Sequence, residues 1–199
     1  MANDYFPDFR HNPIRQNCCV EFIIEDIPGG GTIAKSDFKS DSTVMNEGAL
    51  LGIDNTGIYH IVKTAKVWND TVLNASGINV YKEHEFKVGD IIGNSAKTAT
   101  ARNILSIDTT PVSYDTFNIS SGFGTLLASD ILIEMSASGF SGGNFKYIPV
   151  AVAIADEPVN LLNKNNGCGL LVSGRVKKDL MPYYTDAIIE KLLPSIRFV

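Results

Sequence analysis

Ile58-Tyr59-His60-Ile61-Val62-Lys63-Thr64-Ala65-Lys66-Val67 is the stretch on which the fold class turns. It is rich in β-branched and aromatic side chains, holds no Gly or Pro, and runs up to Trp68 and the turn-forming Asn69-Asp70. It therefore reads as one long strand. The same signature recurs on either side. Upstream, Val20-Glu21-Phe22-Ile23-Ile24-Glu25-Asp26-Ile27 predicts a strand that Pro28-Gly29-Gly30-Gly31 ends, and residues 32–48, dominated by Ser, Asp, Thr and Asn, read as a polar loop. Downstream, strands are predicted over 78–82, 83–93, 103–108, 114–119, 126–135, 147–154 and 168–176. Gly89-Asp90, set between apolar residues, marks a tight turn or bulge.

Short strands parted by turn signals every ten or so residues indicate a barrel or sandwich. One helix interrupts them, over 186–193. Its Ile188, Ile189, Leu192 and Leu193 recur at spacings of three and four, Thr185 is the expected N-cap, and Pro194 ends it. The final Ser195-Ile196-Arg197-Phe198-Val199 reads as a strand-like run pinned into the sheet or against a neighbour. Residues 1–17 show neither period, and Pro7 and Pro13 forbid a regular helix there. They read as an arm whose Tyr5, Phe6 and Phe9 either dock on another molecule or pack back on their own domain. The expected architecture is thus mainly β: a small β-barrel or sandwich with one short C-terminal helix and an extended N-terminal arm. Residues 1–47 would hold the arm, first strand and polar loop, and 48–199 a β-rich domain.

The chain has 199 residues, a length that favours one domain or one domain plus an arm. Seventeen Lys and Arg against twenty-two Asp and Glu leave a net charge of -5, which argues against a generic cationic nucleic-acid binder. The basic run Arg175-Val176-Lys177-Lys178 is followed by Asp179 and reads as a surface spot. No apolar run approaches the ~20 residues that a membrane-spanning helix needs. The first residues show neither the basic nor the apolar region of a secretory signal, and the three cysteines, adjacent Cys18 and Cys19 and a distant Cys168, read as reduced thiols. A cytosolic setting is the expectation.

His11, His60 and His84 lie at no spacing that metal sites use, no serine sits in a Gly-x-Ser-x-Gly elbow, and Asp156-Glu157 reads as a solvated loop. The Gly29–31 triplet lacks the Lys-Ser/Thr pair of a phosphate loop. No catalytic, cofactor-binding or metal residue is therefore designated, and no enzyme activity is expected. Trp68, the sole tryptophan, is either a binding aromatic or a partly buried one.

Several segments carry a resemblance as a set. They are Ile61 to Val67; His84-Glu85-Phe86-Lys87-Val88-Gly89-Asp90; Ile107-Asp108; Tyr114-Asp115; Ala151-Val152-Ala153-Ile154; Gly174-Arg175-Val176; and Leu192-Leu193-Pro194-Ser195-Ile196-Arg197-Phe198-Val199. In this order they resemble head decoration or head-fibre-type capsid proteins of tailed phages and prophages, over residues 48–199. The resemblance implies a virion protein, assembled in the bacterial host cytoplasm. It would bind the outside of the head shell and stabilise or decorate it. Its partners would be the major capsid protein and its own copies, as a homotrimer, with no nucleic acid, membrane or cofactor. On this reading Tyr5, Phe6 and Phe9 of the arm and Ile196 and Phe198 of the last strand contact neighbours. Two other readings stand beside it: a glycan-binding or adhesive β module using Trp68 and tyrosines, and a hydrolase on a β scaffold using His60 or His84.

Overall fold

A computed structural model describes residues 19–94, 101–122, 124–139, 144–155, 159–160, 165–192 and 195–199. The expected arm, with Tyr5, Phe6 and Phe9, lies outside the described residues, as do His11, Cys18, Asp156-Glu157, Leu193 and Pro194. In chain order the first half holds β1 (Val20–Asp26), β2 (Gly31–Ile33), β3 (Val44–Met45), β4 (Leu50–Ile53), β5 (Tyr59–Ile61), β6 (Thr64–Lys66), β7 (Gly77–Val80) and β8 (Ile91–Asn94). There follow β9 (Arg102–Asp108), β10 (Asp115–Ile119), β11 (Ile131–Glu134), β12 (Pro149–Ile154), β13 (Val159–Asn160), β14 (Asn166–Val176), the helix α1 (Asp186–Leu192) and β15 (Ile196–Phe198). The protein is mainly β, with one short helix near its C-terminus and a closed five-stranded barrel.

Strands β2, β5, β4, β12 and β14 form that barrel. Closure depends on β14, whose 11 residues are long enough to pair with β12 through Gly169–Leu171 and with β2 through Asn166–Cys168. Side chains alternate along each wall strand. Leu51, Ala151, Ala153 and Leu170 point inward with Ile33, and the two alanines suit a narrow barrel. Leu50, Val152 and Leu171 point outward, where Ile188 and Leu192 of α1 cover them. With both faces of the wall buried, these strands read as continuous apolar runs rather than alternating ones. Of the expected stripe on α1, Ile188 at 0% and Leu192 at 3% exposure are buried and Ile189 is partly buried. The Thr185 carbonyl accepts from the Ile188 and Ile189 N–H groups, but the Thr185 hydroxyl is buried without a partner, so the cap is made by backbone alone.

The second sheet is inserted into the first. Its order is β6-β11-β8-β9-β10-β7. It curls until Val67 bridges Val80, with Trp68 N–H to Asn79 O at 2.8 Å and Tyr81 N–H to Lys66 O at 3.0 Å. Val67, Ile78, Phe86, Ile92, Phe117 and Leu132 help fill its interior. Accordingly the stretch 58–67 is two strands, not one: β5 ends in the barrel, Val62-Lys63 crosses over, and β6 begins in the second sheet. The expected boundary between residues 47 and 48 is not followed by the pairing either. β1 and β2 pair with β14, so residues 20–33 share a sheet with residues 149–198, and residues 64–134 lie between. The expected polar loop at 32–48 begins inside β2, holds a 3-10 turn at Lys35–Asp37 and β3, and buries Ile33, Phe38 and Met45 in the barrel core.

Candidate functional site

The two described histidines occupy different settings, His60 on a barrel strand and His84 in the segment between β7 and β8. His60, on β5, has Nδ1 2.8 Å from Asp37 Oδ2 and Nε2 3.3 Å from Asp54 Oδ2, and its ring stacks on Tyr147 at 4.0 Å and 8°. The contacts tie the 3-10 turn, the β4–β5 turn and the start of β12 together. The Asp54 carboxyl is held well below the usual carboxylate range, first by the Thr56 hydroxyl and then by the Ile58 N–H. His84, between β7 and β8, is buried. Its Nδ1 accepts from Phe86 N–H, which leaves Nε2–H to donate to Asp115 Oδ2 at 3.1 Å. Burial, with Lys39 nearby, pushes its pKa down to about 4, so the ring is neutral.

Where the chain passes between the sheets, a buried ionic cluster forms. Lys63, whose side chain is 1% exposed, lies 2.7 Å from Asp90 Oδ2 and 3.5 Å from Glu134 Oε1. Lys146 reaches the same Glu134 oxygen at 2.8 Å. Glu134 N–H also donates to Lys63 O, and Lys146 N–H to Glu134 O, so both crossings of the neck are stitched side by side. Burial pushes the Glu134 carboxyl up, against the two lysines, and its Oε2 is buried without a partner. The turn at 86–90 serves this cluster. Gly89 at φ 94° lets the chain reverse, and Asp90 Oδ2 takes both Lys63 Nζ and the Lys87 N–H.

A cleft of about 840 Å³ opens beside the neck. Barrel residues from Phe38 to Leu50 line one wall, the segment from Lys82 to Glu85 another, and the segment from Asp179 to Tyr183 the rim. Glu85 braces the first two, accepting from Lys39 N–H and the Ser42 hydroxyl. An aromatic row continues from the rim. Tyr183 lies 6.1 Å from Tyr81, Tyr81 lies edge-on to Trp68 at 4.6 Å, and Tyr114 lies 6.0 Å from Trp68.

The outermost strand of the barrel sheet is β1, and β14 is its single strand partner among the described residues. Six of its seven residues are exposed, including Phe22 at 49%, Ile23 at 44% and Ile24 at 69%. No family model, curated protein or solved structure matches this chain. Among the described residues no group of three His, Cys, Asp or Glu is placed to hold a metal ion, and no helix is long and apolar enough to cross a membrane. Cys19 and Cys168 are buried, and burial pushes the Cys168 thiol up to about 11.

Of the interface residues expected from sequence, Ile196 and Phe198 are placed differently. β15 pairs in parallel with β14, Gly174 opposite Ile196, which turns Ile196 into the chain's own core at 0% exposure. Phe198 packs partly buried on Tyr184 at 5.4 Å. The last strand is spent on closing its own sheet, and the exposed apolar strand lies at the opposite end of the chain, in β1. Its Phe22-Ile23-Ile24 run was legible as a strand; that both faces stay open was not, because nothing local records what packs on a strand.

Proposed function

We propose that this protein is a structural, non-enzymatic virion component, which binds the outer surface of an assembled phage or prophage head and stabilises or decorates it. The observation that carries this reading is β1. It is an edge strand with Phe22, Ile23 and Ile24 exposed, and in the sequence it follows the segment that holds Tyr5, Phe6 and Phe9. An edge strand offers a row of main-chain donors and acceptors, and a strand of another chain completes the row while its side chains cover the apolar faces. The partner on this reading is the major capsid protein, engaged in the host cytoplasm, with further copies of the chain beside it as a homotrimer. Attachment to the assembled lattice alone stabilises that lattice by mass action. The role needs a stiff body and a docking edge and no reacting centre. The resemblance of residues 48–199 to head decoration proteins points the same way.

Co-sedimentation tests it. The protein is mixed at micromolar concentration with expanded head shells of the phage whose genes adjoin its own, and the pellet is quantified. Saturable pelleting is expected, lost in the double variant Phe22→Lys, Ile24→Lys, whose melting temperature stays that of the parent. A parent protein that remains in the supernatant overturns the reading. Its mass in solution, expected at three times that of the chain, tests the trimer separately.

A further inference from the structure

Trp68 is the one tryptophan of the chain, and it stands 37% exposed within the aromatic row, between Tyr81 and Tyr114, rather than inside the second sheet's core. The row is assembled from four distant places: Trp68 after β6, Tyr81 after β7, Tyr114 before β10, and Tyr183 ahead of α1. Lys66 Nζ lies 5.5 Å from the Tyr81 ring and 5.7 Å from the Tyr183 ring, holding the two at fixed separation by cation–π attraction. Tyr183 belongs to the row and to the cleft at once, so the two form one continuous surface.

The chemistry of that surface changes along its length. The outer part offers aromatic faces and the inner part offers charged side chains. Asp41, Glu47, Glu83, Glu85 and Asp179 line the cleft against Lys39 and Lys82. We propose that the row and cleft bind a neutral oligosaccharide chain. Pyranose rings carry an apolar C–H face, which stacks on an indole or phenol ring, and a rim of hydroxyls, which needs carboxylates and ammonium groups placed as acceptors and donors. A single sugar needs one stacking ring. A row leading into a cleft of this volume fits several sugars in sequence. The excess of carboxylates over lysines opposes anionic glycans and sulfated chains, whose charge would meet like charge. This inference does not rest on shell binding, since no β1 residue lines the cleft.

Trp68 itself reports on the site, because all tryptophan emission of the protein comes from it. The full chain is titrated with chitohexaose, cellohexaose, maltohexaose and mannohexaose, with dextran sulfate as the anionic probe, and fluorescently labelled protein is applied to a broad glycan array. The expected result is a saturable change in emission with at least one neutral chain, array retention of the same sugar type, and no response to dextran sulfate. Tyr183→Ala keeps the reporter and weakens binding about tenfold. Trp68→Ala abolishes array retention, and Trp68→Phe restores part of it at an unchanged melting temperature. Three results each overturn the proposal: unaltered emission with an array that retains no neutral glycan, retention undiminished in Trp68→Ala, and dextran sulfate bound as well as the neutral chains. A protein that fails here and still pellets with head shells leaves the function proposed above standing.

Discussion

Lys63 is the residue whose environment departs furthest from its chemistry, since an ammonium is almost never fully buried unless paired. Its side chain is 1% exposed, and Asp90 and Glu134 are its partners. Removing one member of a buried pair strands the other charge at a cost of ~3–5 kcal/mol. Lys63→Met is expected to lower stability by about 3 kcal/mol in urea denaturation, toward the low end because Asp90 keeps the Lys87 N–H and Glu134 keeps Lys146. His84 gives a pH prediction. Its folded pKa is near 4 against 6.5 for the free side chain, so between these values the unfolded chain binds more protons and stability falls as pH falls. The loss amounts to about 3 kcal/mol from pH 6.5 to 4. Glu134, displaced upward, contributes with the opposite sign, its share shrinking as pH rises above 4.5. The difference between the parent and His84→Gln across a pH series therefore isolates the histidine. A His84→Gln protein with the parent's slope would refute the assignment.

At the scale of elements, the contact between β1 and β14 is set by a glycine. A Cβ on Gly174 would stand 2.3 Å from Phe22 O and 2.9 Å from Leu171 Cδ1. Gly174→Ala is expected to push β1 off the barrel, costing about 1–3 kcal/mol, with faster amide hydrogen exchange confined to residues 20–26. Exchange rates unchanged in β1 would show that the sheet yields elsewhere. On the other side of β14's neighbour β12, Leu192→Ala uncovers Val152 and Leu171 and is expected to cost ~2–4 kcal/mol by chemical denaturation. Most of these elements were legible. β1, β9, β10, β12 and β14 announce themselves by β-branched density between turn residues, and α1 by its stripe. What misled was continuity. Ile58 to Val67 holds no Gly, Pro or turn residue, and because both halves are largely buried it carries no mark where it leaves one sheet for another. β2, β3 and β13 are two or three residues long, and the β3–β13 and β2–β14 pairings each join residues more than a hundred apart, so their polar surroundings hide them.

Across the whole molecule, the decisive feature is that the second sheet leaves and rejoins the barrel at adjacent points. Ala65 pairs with Leu132 and Thr64 with Ile133. A chain in which Asn-Gly replaces residues 66–131 would close that ladder with a two-residue hairpin turn. It is expected to keep a single cooperative thermal transition, and a non-cooperative melt would show that the barrel cannot stand without the insertion. The candidate site could not be read in advance for the same topological reason. Trp68 beside Asn69-Asp70 hinted at an exposed aromatic, but Tyr183 joins it across more than a hundred residues only because the neck brings the barrel's last loop against the inserted sheet. Side-chain type was visible, and convergence was not. With its two ends one rung apart, the insertion is also a socket. Any module with termini as close as a hairpin's could ride in its place, changing what the protein presents to the outside while every rung of the seven-stranded sheet stays as it is.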